Sequence, residues 1–72
     1  MYKLKVIIHK TKIGNIELWH DESCVGFGTS LTEALAHPVY RRFLNIMKRP
    51  VDFNFRNLTP SEIDRIINTL HT

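Results

Sequence analysis

Residues 24–35, Cys24 to Leu35, read C-V-G-F-G-T-S-L-T-E-A-L. A short apolar run ends in two glycines, and Ser30-x-x-Glu33 then opens a stretch rich in alanine and leucine. That is a strand running into a capped helix. The Ser30 hydroxyl can accept from the N–H of Glu33, and the Glu33 carboxylate can reach back to the N–H of Ser30.

Toward the N-terminus, Tyr2, Leu4, Val6 and Ile8 alternate with Lys3, Lys5, Ile7 and His9. Period two is the pattern of a half-buried strand. Gly14-Asn15, between Ile13 and Ile16, predicts a tight hairpin turn, because both residue types tolerate positive φ. Ile16, Leu18 and Trp19 continue the return strand, and Asp21-Glu22-Ser23 breaks it.

Toward the C-terminus, Pro38 sits inside the helical pattern and disfavours the helical conformation at His37. A short helix to about Ala36 is expected, then a kink or a fresh start. Val39, Tyr40, Phe43, Leu44, Ile46 and Met47 follow as a wide apolar stripe, which Arg49-Pro50 ends. Val51, Phe53 and Phe55 alternate with Asp52 and Asn54 as a fourth strand. Thr59-Pro60-Ser61-Glu62 is a second capping box with proline at the first helical position. Ile63, Ile66, Ile67 and Leu70 then form one apolar face.

The expected class is α+β: a small antiparallel sheet packed on one face by helices, in the order β-β-β-α-β-α. The uncovered face should carry Lys3, Lys5 and His9, with Ile7 among them. With 72 residues the chain reads as a single domain over 1–72. A domain this small is marginal alone. One cysteine, Cys24, allows no intrachain disulfide, so a homodimer or docking on a partner is expected. The single cysteine and the lack of a leader-like segment point to a reducing cytoplasm. No apolar run approaches the roughly 20 residues of a membrane span.

The formal charge of +3 is unevenly spread. Lys3, Lys5, Lys10 and Lys12 share an acid-free segment, and Arg41, Arg42, Lys48 and Arg49 share another. Glu17, Asp21, Glu22 and Glu33 lie between. No nucleophile–base set is visible, so no catalytic residue is assigned and the chain is read as no enzyme. His20, Asp21, Glu22 and Cys24 lack the ligand spacing of a zinc site, so neither metal nor cofactor is expected. Cys24 reads as a small core residue. Gly26-x-Gly28 lacks the remainder of a phosphate-binding motif and reads as a sharp turn.

The hairpin, third strand and helix start resemble the antitoxin half of the HicAB toxin–antitoxin systems. The matching residues are Cys24, Val25, Gly28, Ser30, Leu31, Glu33, Ala34 and Leu35. The resemblance implies a non-catalytic, often dimeric domain that neutralises a protein partner. No helix-turn-helix or ribbon-helix-helix segment for operator binding follows.

The functional expectation is therefore a protein-binding module. It would inhibit or neutralise a toxin or a host enzyme, as an antitoxin or a phage-encoded inhibitor does. Trp19, Glu17, Asp21 and Glu22 are expected to form one partner-binding surface, and Arg41, Arg42, Lys48 and Arg49 another. The alternative is a small basic nucleic-acid-binding domain using Lys3, Lys5, Arg41 and Arg42.

Overall fold

The computed structural model describes residues 3–70; Tyr2, read above as the start of the strand alternation, lies outside them. Three strands come first: β1 Leu4–Lys10, β2 Ile16–His20 and β3 Ser23–Gly28. Two helices follow, α1 Leu31–Leu35 and α2 Pro38–Met47, then β4 Val51–Arg56 and α3 Pro60–Leu70. The α+β class holds, with two helices rather than one ahead of β4.

Proline chemistry splits the helical segment. Ala36 caps α1, and His37 takes an extended backbone (φ −60, ψ 134). The His37 imidazole Nδ1 accepts from the Val39 N–H at 3.2 Å, and Pro38 occupies the first turn, where no N–H is needed.

The sheet order is β3-β2-β1-β4. It is mixed, not antiparallel as expected. β1 pairs antiparallel with β2, and β2 with β3, while β4 runs parallel to β1. The α1–α2 segment crosses the sheet and returns the chain in the direction of β3. Parallel pairing requires such a crossover.

The hairpin turns also differ from the simplest reading. β1 and β2 are joined by a five-residue loop, Thr11–Asn15, closed by Thr11 N–H to Asn15 C=O at 2.8 Å. Gly14 alone in this loop has positive φ (+90), and Ile13 stands exposed at its tip. The tight turn is instead at Asp21-Glu22, where His20 pairs with Ser23 and Asp21 takes φ +54.

Alternation decides what is buried. Leu4, Val6 and Ile8 of β1 sit beside Val51, Phe53 and Phe55 of β4 in register. With Ile16, Leu18, Val25, Ala34, Tyr40 and Ile66 they make the core beneath the helices. Val6, Ile8 and Leu18 are fully buried, each contributing about 1.5–3 kcal/mol. A register shift between Leu18 and Trp19 places Val25 in the core and leaves Cys24 opposite Trp19. Cys24 is therefore exposed, not in the core as expected.

Both capping sequences act as caps. The Ser30 hydroxyl accepts from Glu33 N–H at 3.3 Å, but the Glu33 carboxylate takes the N–H and hydroxyl of Thr29 rather than the N–H of Ser30. These two donors hold the Glu33 carboxyl below the usual range. At α3 the box is reciprocal: Glu62 N–H donates to Thr59 Oγ1, and Thr59 N–H donates to Glu62 Oε1. Gly28 lies within β3, not in a turn. A Cβ there would stand 2.5 Å from Glu33 Cβ and 2.8 Å from Ala34 N, so its absence lets the start of α1 lie against the strand.

Candidate interaction surfaces

The helices cover one face of the sheet and leave the other open. Register orders the open face into rows. Asn54, Ile7, Trp19 and Cys24 form the central row across β4, β1, β2 and β3. Arg56, His9, Glu17 and Phe27 form the next. On the other side Lys5 pairs with Asp52, and Asp21 lines one shallow groove with Lys5, Ile7 and Asn54.

Leu18 points inward, so Trp19 stands on the open face, where its Nε1–H donates to Glu17 Oε1 at 3.1 Å. The bond holds the indole in place beside Ile7. Ile7 and Trp19 are both half-buried by their neighbours. His9 Nδ1 is shielded and finds no hydrogen-bond partner. Asp21 and Glu22, also predicted for this surface, are exposed in the β2–β3 turn at its end.

The predicted basic surface divides. Arg41, Arg42 and Lys48 are exposed on or just after α2, beyond the opposite face of the sheet. Arg49 lies elsewhere. With Lys3, Lys5, His20, Asp21 and Asp52 it lines an open groove of about 640 Å³ at the end of the sheet. The nucleic-acid set is likewise separated: Lys5 belongs to the open sheet face, Arg41 and Arg42 to the helical face. A phosphate backbone cannot follow all four along one straight stripe.

The α2 stripe is narrower than the sequence implies. Tyr40 is buried, and desolvation pushes its phenol up from the ordinary value. Phe43 packs beside Tyr40 and His20, with ring centroids 6.3 and 5.0 Å away. Val39 and Ile46, however, are 51% and 69% exposed. With Arg42 they follow at i, i+3 and i+7, one side of the helix. Arg41, two positions on from Val39, lies about 160° round the helix from it at the other edge of the solvent-facing side, and Lys48 caps the C-terminal end. No carboxylate occurs from Ala34 to Val51. The missed signal was width: a six-residue stripe spans more of the helix than one sheet can cover.

His20 and Cys24 occupy opposite sides of the sheet, His20 against Phe43 and Cys24 beside Trp19. They do not form a nucleophile–base pair. Among the described residues no three metal-ligating side chains converge. None of the described helices is long and apolar enough to cross a membrane.

No family model matches the chain, and no curated protein or solved structure shows significant similarity to it.

Proposed function

We propose that this chain is a small, non-catalytic module that binds another protein and neutralises it. An antitoxin acting on its toxin, or a phage-encoded inhibitor acting on a host enzyme, would work in this way. The observation that carries the reading is the outer side of α2. Val39 and Ile46 are large apolar groups left in water, with Arg42 on the same side of the helix, Arg41 at the other edge of its solvent-facing half and no acid in α2. Exposed apolar groups beside an arginine fit the anatomy of a protein interface. Its charge fits an acidic partner surface carrying one or two apolar side chains. The resemblance of Cys24 to Leu35 to HicB-type antitoxins supports the same reading, as does the small size. Reading the compartment as cytoplasmic belongs to this proposal.

Exposed apolar groups favour a protein over a nucleic acid here, because phosphates gain nothing from Val39 and Ile46. The test compares tagged wild type with Arg42→Glu and Ile46→Asp in pull-downs from host lysate, with and without nuclease. An acidic protein retained after nuclease and lost by both variants, and inhibited by the purified wild type alone, supports the proposal. A bound set that vanishes with nuclease moves the function to nucleic-acid binding through Arg41 and Arg42.

A further inference from the structure

We propose that a second copy of this chain covers the open sheet face, as a dimer whose two-fold axis runs along the strands between β1 and β2. This goes beyond the partner reading and does not rest on it, because it uses the face opposite α2.

The side chains of the two central strands are distributed so that they complement one another across such an axis. Rotation about such an axis lays β1 of one copy over β2 of the other and keeps each row at its own height. The pairs that face each other can then be read from the register. Ile7 meets the partner's Trp19 at the centre, since these residues share a row. His9 meets the partner's Glu17 on one side, from the next row. On the other side Lys5 meets the partner's Asp21, which borders the same groove. Symmetry makes each contact twice. The centre is apolar and aromatic, and on the two central strands Lys5 and His9 each face a carboxylate, while on the outer strands Arg56 faces the partner's Phe27 and Asn54 the partner's Cys24.

The alternative two-fold, perpendicular to the strands, reverses the rows. It would stack Lys5 over the partner's His9, and Asp21 over the partner's Glu17. Two carboxylates would then face each other at one flank, and opposed like charges are costly. The face is thus complementary to itself in one orientation and not in the other. Aligned stacking of two twisted sheets about 10 Å apart is an ordinary packing mode. It would bury Trp19 and Ile7 as a second core, which a chain this short otherwise lacks.

The test is sedimentation equilibrium of the purified chain. The wild type is expected to dimerise, and Lys5→Asp and Asp21→Lys each to weaken the dimer about tenfold or more, because each reversal is felt twice. The double exchange, Lys5→Asp with Asp21→Lys, should restore wild-type affinity. Trp19→Ser should leave monomers, with circular dichroism checking the fold; if that variant unfolds, the charge exchange decides alone. A wild type that stays monomeric to its solubility limit overturns the proposal. So does a dimer indifferent to both single reversals, or one that the double exchange does not restore. A dimer strengthened by Asp21→Lys alone would indicate the perpendicular axis instead, and also overturns it.

Discussion

The Lys10 ammonium pairs with the Glu62 carboxylate, joining the last residue of β1 to the first turn of α3 across 52 positions of sequence. The same carboxylate accepts from the N–H and hydroxyl of Thr59 through its other oxygen. One side chain therefore caps a helix and pins that helix to the sheet.

This arrangement predicts an acid-sensitive dock. The hydrogen bond from Lys10, then those from Thr59, hold the Glu62 carboxyl at about 2 against an ordinary 4.5. A depressed folded-state value favours folding where the carboxylate is ionised. The contribution is complete above the ordinary value and is lost as pH falls from about 4.5 toward 2. Glu62→Gln should lower the melting temperature at neutral pH and flatten its fall over that acid window. Equal slopes for the two proteins would show that the contact is fully screened by solvent.

Gly28→Ala should destabilise the fold by about 1–3 kcal/mol, the usual range for overpacking. The added methyl meets Glu33 Cβ and the Ala34 backbone, and the backbone cannot swing aside as a flexible side chain can. Gly14→Ala meets nothing within 4 Å but keeps a φ of +90, so its cost is backbone strain alone, about 1–2 kcal/mol. Urea unfolding of the two variants separates crowding from strain. Partial recovery of Gly28→Ala stability on adding Glu33→Gly, which removes that Cβ, would assign part of the cost to the Glu33 contact.

Lys48 ends α2 in the left-handed region, at φ 50, with its N–H donating to Leu44 C=O at 3.0 Å. Lys48→Gly should raise stability by up to about 1 kcal/mol by removing the Cβ penalty of that conformation. It also removes a cation from the proposed partner surface. Higher thermal stability with weaker partner binding is the expected outcome. Unchanged binding would place the partner contact nearer Val39 than the C-terminal end of the helix.

Ile46→Ser and Arg42→Glu should each shift stability by no more than about 0.5 kcal/mol, since both side chains lie in solvent. Partner capture should fall sharply in both. Loss of stability in Ile46→Ser beyond that range would mean that Ile46 belongs to the fold and not to an interface.

What the chain determined locally was legible without coordinates. Alternation at Leu4, Val6 and Ile8 named the inward side of β1 correctly, whereas the side taken by Trp19 followed only once Leu18 was seen to be buried. The Ser30 and Thr59 caps, with Pro38, marked the helix starts. These signals act through neighbours a few residues apart, where backbone sterics and short hydrogen bonds decide the outcome. Tertiary structure alone decided which strands pair. β4 lies parallel beside β1 because the α1–α2 crossover carries it there and Phe53 and Phe55 complete the core next to Val6 and Ile8. The shift at Leu18 and Trp19 likewise exchanged Val25 for Cys24 in the interior. The finite width of the sheet left Val39 and Ile46 in water. Such outcomes depend on burial shared by residues far apart in sequence, and no local pattern carries that information.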